Sequence, residues 1–356
     1  MTQVLQPGRG PRPGLYVPLD PEAVSWGWVL GPSAEPVATV RPGQVVTIDT
    51  VSHEGLLPDQ GRDPVAFFSG HGVDPVDVLE DAVALASRSR PYDQTRDGPH
   101  VVCGPIWIEG AEPGDVVVVE VEQLLPRVPY GVVSNRHGRG ALAGELPEAE
   151  GGGPPPQVVS RFANLDDTGS AARLRAPSGR VICLQVRPAL GLVAVAPADK
   201  DAHSVPPGPH GGNLDLSLLG PGSRLYLPVH RPGALVQVGD PHFAQGDGEV
   251  ALTALEGSLR AVVRFELQRG GDGTCDLPWA ETADRWILVG LDEDLDEAVR
   301  MATRAGLRLV TEWTGLDRAT AYAWLSAAAD LSVSQVVNGT KGAHLSIPKA
   351  WLTTSN

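Results

Sequence analysis

Turn-forming residues set the strongest limit on what this chain can fold into: 42 glycines and 33 prolines among 356 residues leave little room for long uninterrupted helices. Aromatic residues make up only 5%. That combination reads as many short strands joined by tight turns, a mainly β fold. Strand-like runs, most of them bounded by Gly or Pro, cover Gln44 to Ile48, Val116 to Glu122, Arg180 to Val186, Leu225 to Val229 and Leu259 to Leu267. Their spacing fits a jelly-roll-like β-sandwich core. Two features interrupt it in the first half. A helix is expected over Val76 to Ser87, and the run GGGPPP at 151–156 suits neither a helix nor a strand interior, so it marks an exposed loop within an insertion near 145–175.

The pattern changes near residue 283. There RWILVG leads into DEDLDEAVRMATRAG, which reads as a helix with Asp292 as N-cap, acids in its first turn and Gly306 past its end. A second helix over Asp317 to Ala329 and a strand over Val333 to Val337 complete an α/β part, with Lys341 and His344 in a Gly-flanked turn. The expected organisation is therefore a β-rich domain over 1–282 that carries the site, and an α/β part over 283–356 packed on it.

A net charge of −15 argues against nucleic acid or an anionic membrane as partner, because both are polyanions. The first twenty residues lack the apolar core of a secretory signal, and no run of about 18 apolar residues occurs, so the expectation is a cytoplasmic chain. Cys103, Cys183 and Cys275 are too scattered for a disulfide framework or a CxxC knuckle, and Cys103 in HVVCGPIW reads as a strand interior.

The densest polar constellation lies in two stretches, His203 to Ser223 and Gly239 to Glu249. They place His203, His210, Asn213, Asp215, Asp240, His242, Gln245, Asp247 and Glu249 among glycines, which let a backbone turn sharply or approach a ligand. Histidine with carboxylate suits zinc, while carboxylates in Gly-rich turns also suit calcium. The spacing is that of neither a zinc finger nor an HExxH helix. Upstream, His53 and Glu54 follow a strand, where the pair can serve as ligand and acid/base. The loop SNRHGRGAL offers Arg136 or His137 for substrate positioning, whereas His71 and His100 each stand alone beside Gly or Pro. The chain has no GxSxG elbow, no GxxxxGK[ST] phosphate loop and no GxGxxG turn, which argues against nucleotide chemistry and a serine nucleophile of that type.

The segments PPGPHGGNLD, LYLPVHRPGALVQVGDPHFAQGDGE, GPIWIEGAEPGDVVVVEV and LSVSQVVNGTKGAHLSIPKA resemble motifs of the acetamidase/formamidase family. The resemblance implies a jelly-roll-type sandwich with an α/β addition, assembly into homodimers or higher oligomers, a bound divalent metal, and hydrolysis of short-chain amides to carboxylate and ammonia. By matching positions it implies His210, Asn213, Asp215, Asp240, His242, Gln245, Asp247 and Glu249 as site residues. On that footing His53, His210, Asp215, Asp240 and His242 are the candidate metal ligands, with zinc expected and calcium as the alternative. Glu249, Asp247 and Glu54 are the candidate acid/base groups. Asn213 and Gln245 are expected to hold the substrate amide, and Phe243 to supply an apolar wall. Rival readings are a non-hydrolytic sandwich that captures a ligand, and a cyclic-imide hydrolase or lyase using the same metal site. The chain departs from the family pattern at VSHEG and the long loop DQGRDPVAFFSGHG, which puts the size of the substrate in question.

Overall fold

The longest apolar strands build the centre. Leu259–Gln268 buries Leu259 to Val263 and Phe265 and pairs antiparallel with both Val116–Pro126 and Val45–Asp49. The computed structural model describes residues 4–88, 92–93, 96–149, 153–270 and 276–352. Within them, one sheet of nine strands runs Leu15–Val17, Val45–Asp49, Leu259–Gln268, Val116–Pro126, Arg224–Pro228, Trp279–Glu281, Arg285–Asp292, Lys341–Pro348, Asp330–Gln335. A second sheet has eleven strands and is centred on Val236–Ala244, which is flanked by Ala189–Ala194, Val101–Ile108 and Leu255–Glu256. One apolar cluster takes Ile48, Val119, Val263 and Phe265 from the first sheet together with Ile106, Val132, Val236 and Phe243 from the second, so the two pack face to face as a sandwich.

All five strand-like runs form strands whose limits lie close to those expected, with Val116–Pro126 longer than read. The helix expected over Val76 to Ser87 is divided instead. Asp74 accepts a hydrogen bond from the Val76 amide to start a short turn at Pro75–Asp77, and Val78 and Leu79 then turn extended to bury their side chains before the helix Glu80–Ala86. The expected loop insertion near 145–175 contains strands. From Val158 the chain forms Val158–Leu165, Ala171–Arg175 and Val181–Gln185, which extend the edge of the second sheet.

The α/β part continues the first sheet rather than resting on it, because Trp279–Glu281 bridges Arg224–Pro228 to Arg285–Asp292. Its long helix starts later than read, with Asp294 as N-cap, and runs Leu295–Thr314 to a left-handed Gly315. Gly306 is inside that helix and not past its end. A Cβ there would lie 2.5 Å from Leu345 Cδ2, so the glycine lets the helix approach the sheet. The second helix, expected over Asp317 to Ala329, runs Arg318–Ala328 with Asp317 as its N-cap. The strand expected over Val333 to Val337 is Asp330–Gln335, and Lys341 and His344 lie on a further strand, Lys341–Pro348, rather than in a turn. Cys103 is buried in Val101–Ile108; Cys275 and the glycines at 151–152 fall outside the described residues. No helix among the described residues is long and apolar enough to cross a membrane.

Candidate active site

Strand register assembles the site. On Val236–Ala244, Asp240 and His242 are two residues apart and so share a face. Antiparallel pairing sets Glu256 opposite His242, and it sets Val102 opposite Gly239, which carries the preceding His100 toward Asp240. On the other flank Gly191 faces the pair. A Cβ on it would meet Asp240 Oδ2 at 2.5 Å, His242 Cε1 at 2.5 Å and Asp215 Oδ1 at 2.8 Å, so only glycine permits these groups to close together.

The three imidazoles are oriented in the same manner, each with one nitrogen held from behind and the other aimed at Asp240. His53 Nε2 lies 3.4 Å from Glu54 Oε1, and its Nδ1 is 3.7 Å from Asp240 Oδ1. His100 Nδ1 is 2.9 Å from Ser204 Oγ, and its Nε2 is 3.8 Å from the same Asp240 oxygen. His242 Nδ1 is 3.0 Å from Gln245 Oε1 and its Nε2 2.9 Å from Asp240 Oδ2. Gln245 Nε2 donates to the Asp215 carbonyl at 2.6 Å, which leaves its Oε1 to accept from the His242 ring.

Three sets of buried side chains each bring one ligand atom per residue within 4.8 Å of one another and could hold a metal ion: His53, His100 and Asp240; Asp240, His242 and Glu256; Asp215, His242 and Glu249. Among the described residues, His53 Nδ1, Asp215 Oδ1, Asp240 Oδ1 and Glu256 Oε2 are buried without a hydrogen-bond partner. Unpartnered donors of this kind, nitrogen and carboxylate oxygen together, fit a divalent cation. Asp215, Asp240 and Glu249 also take left-handed backbone, with φ of 45°, 51° and 46°, a conformation that acidic residues adopt at a cost and that concentrates strain here.

The charges confirm how crowded the cluster is. Burial pushes the Asp215 carboxyl up to about 7, helped by the Asp240 charge, and lifts Glu249 well above the carboxylate range with Asp215 as its next cause. Asp215 and Glu249 belong to the same one of the three sets, so two carboxyls that burial pushes up stand side by side. Glu256 is pushed up to about 8 by burial against the pull of His242. Asp240 is the exception: burial would raise it, but His242 and His100 hold it well below its usual range. Burial drives His100 down to about 4, whereas His242 resists burial because Glu256 and Asp240 keep it well above 6.5.

These groups form the floor of a cavity of about 440 Å³. Of the expected residues, His53, Asn213, Asp215, Asp240 and Glu249 line it, and Asn213 Oδ1 is buried without a partner. His242 stands just behind them as part of two of the sets. Gln245 is not at the cavity but holds the His242 ring, and Glu54 likewise stands behind His53. Burial pushes Glu54 up, yet the His53 hydrogen bond and the Arg136 charge bring it down to about 2. Three expected residues are not brought to the cluster. His210 packs over Gly208 and Gly212, its nearest titratable neighbour is His230, and burial lowers it to about 4. Phe243 points into the sandwich core against Gly131 and Gly257, and exposed Asp247 accepts from Ser217 Oγ at 2.9 Å. Arg136 lines the cavity together with Arg139 rather than His137.

Sequence reading missed His100, Glu256, Gly191 and Asn338, which donates to Asp215 Oδ2 at 2.5 Å. Two local signals were present: a lone acid in the apolar run LTALEGSLRAVV, and a glycine inside the buried strand ALGLVA. For His100 and Asn338 the approach comes only from long-range packing, which no local pattern records.

Residues 183–351, which hold Gly191, Asp215, Asp240, His242, Glu249, Glu256 and Asn338, match the sequence model of the acetamidase/formamidase family. A protein of Schizosaccharomyces pombe (strain 972) bearing a formamidase name is 30% identical over 48% of this chain and 52% of its own length. The acetamidase of Mycolicibacterium smegmatis is 28% identical over 42% and 49%. The chain thus spans about half the length of the curated relatives it matches. Solved structures cover more: an acetamidase from Yersinia enterocolitica has a TM-score of 0.75 at 26% identity over 99% of this chain and 97% of that one, and an acetamidase from Bacillus halodurans a TM-score of 0.74 at 25% identity over 94% and 98%. Through the matched region and a fold shared over nearly its whole length, the chain is similar to proteins of the acetamidase/formamidase family.

Proposed function

We propose that this chain hydrolyses the C–N bond of a carboxamide, giving carboxylate and ammonia, at the cluster around Asp240 and with a divalent metal ion, zinc, held there. The observation that carries the reading is the set of three imidazoles, each fixed by Glu54, Ser204 or Gln245 and each turning its other nitrogen to Asp240. Imidazoles that bind a metal are held in this way, by a hydrogen bond to the second ring nitrogen. His53, His100, His242 and Asp240 would hold the ion, with Glu256 beside them. Imidazole in every set favours zinc over calcium, which prefers oxygen alone. When bound, such an ion polarises a carbonyl and acidifies water to a pKa of about 7.

The chain's own groups supply the rest. Asn213 Oδ1, buried and unpartnered at the cavity wall, accepts a hydrogen bond from the substrate NH₂ and orients the amide. The Asp215–Glu249 pair takes a proton from the attacking water as the new C–O bond forms, and returns one to nitrogen as the C–N bond breaks. Asp215, pushed up to about 7, suits both directions of transfer, and Asn338 fixes it from the side of the α/β part. The names of the related acetamidases and formamidases support the same bond as the target.

The test is ammonia release from a panel of amides by the purified chain, before and after chelation and zinc return. Release that chelation abolishes and zinc restores is expected. A metal-replete Glu249→Gln variant should retain its zinc and lose most turnover; unchanged turnover in that variant would remove Glu249 from the proton transfer.

A further inference from the structure

We propose that the amide taken by this site carries a bulky apolar body, an aromatic or branched acyl group, and is not a one- or two-carbon amide; this rests on the hydrolysis proposed above. The first ground is volume. An amide of four heavy atoms occupies on the order of 100 Å³ if each takes roughly the 30 Å³ of a liquid water, and the cavity measures about 440 Å³. Pockets of about 300–1,000 Å³ bury ligands much larger than that.

The second ground is how the lining is sorted. The buried part of the wall is mainly polar and consists largely of the cluster itself. Eight lining residues are half-buried, and six of them are apolar: Tyr92, Pro99, Val205, Pro206, Leu252 and Val337. Exposed Arg139 and Gly339 mark the mouth beyond them. A substrate with its amide on the polar floor therefore has its remaining atoms against an apolar collar. Tyr92 is held in place by Trp26, whose ring centroid is 4.8 Å away, so one side of the collar is rigid.

The third ground is charge. Arg136, the cation set deepest in the wall, is engaged by Asp59 at 2.7 Å and by Glu54 at 3.4 Å, and so is not free to select an anionic substrate. Asp59 comes from the long loop after His53, and that loop also sends buried Leu57 to the lining. The segment that departs from the family pattern thus shapes the cavity by adding an apolar contact and neutralising a cation.

The experiment compares kcat/KM for formamide, acetamide, isobutyramide, benzamide and phenylacetamide on the zinc-loaded chain. We expect the best of the three larger amides to exceed acetamide at least tenfold, and Val205→Trp, which narrows the collar, to lower the ratio of the two kcat/KM values at least tenfold through a higher KM for the larger amide. The highest kcat/KM on formamide or acetamide would overturn the proposal. If no amide releases ammonia, the hydrolysis reading fails by itself and binding decides the size question. Phenylacetamide binding at least tenfold more tightly than acetamide in a calorimetric titration would support the apolar collar as the selector, and equal or weaker binding would overturn it.

Discussion

Asp49 and Asp240 are both buried carboxylates, yet one faces two guanidiniums while the other faces three imidazoles beside further acids. Around Asp49, Arg260 makes two contacts at 2.6 and 2.9 Å, Arg127 stands 3.6 Å away and also pairs with Asp81 at 2.8 Å, and the Tyr16 hydroxyl donates at 2.7 Å. Around Asp240, no Lys or Arg among the described residues pairs with Asp215, Asp240, Glu249 or Glu256. Buried negative charge must be offset by something. The first cluster contains its own countercharge and is structural; the second lacks one, and protons or a cation must supply it.

The largest effect should come from Asp240→Asn, because Asp240 turns one oxygen to His53 and His100 and the other to His242. We expect kcat/KM for the amide to fall by about a thousandfold, near 4 kcal/mol of transition-state stabilisation, with bound zinc reduced to a small fraction when measured by elemental analysis. Full zinc occupancy with unchanged turnover would move the reaction elsewhere. The metal-free variant should unfold in urea no more easily than the metal-free parent, since it has lost a charge from an acid-rich cluster.

The opposite response is expected at Asp49. Arg260→Met leaves that carboxylate without its main partner in a site with no exposure, and breaking a buried pair in this way costs about 3–5 kcal/mol. Urea unfolding should register the loss, zinc content per folded chain should not change, and Asp49→Asn added to Arg260→Met should recover part of the stability. A change within about 1 kcal/mol would mean that the two clusters do not differ as argued.

Gly191→Ala sharpens the contrast by disturbing geometry without altering charge. Its Cβ would enter the space between Asp240, His242 and Asp215, all closer than 3 Å. Displacement of reacting groups by about 1 Å can cost roughly a hundredfold in rate, and that is the loss expected in ammonia release. Retained turnover would show that the cluster can open without consequence.

The two clusters also show what can be read from the chain. The strands were legible because Leu259–Gln268 and Val116–Pro126 are apolar runs ended by turn residues, a local pattern. The blocks from His203 and from Gly239 lead to one place in the fold, where Asp215, Asp240, His242 and Glu249 meet. His210 was misread because glycines beside a histidine signal a turn as well as a ligand site, and here they only make room for the ring. His100 and Glu256 lie 140 and 16 residues from Asp240 along the sequence, and register alone brings them to it. Gly306 was read as a helix end because a helix packed closely on a sheet and a helix that stops can both require a residue without a side chain.

The smallest effect concerns a residue that does not touch the cavity. Gln245 donates to the Asp215 carbonyl and accepts from His242 Nδ1, so the ring can present only Nε2 to Asp240. Loss of such a support typically costs 10- to 100-fold in metal affinity, about 1.4–2.7 kcal/mol. Gln245→Leu should therefore weaken zinc binding by that factor in competition with a chromogenic chelator. Gln245→Glu, which still accepts at Nδ1, should bind at least as tightly as the parent. If both variants weaken zinc equally, Gln245 acts by packing and not by holding the ring. If neither does, His242 is a charge partner of Asp240 and the ion sits with His53 and His100, which would make the Asp240 cluster resemble the Asp49 cluster on one of its two sides.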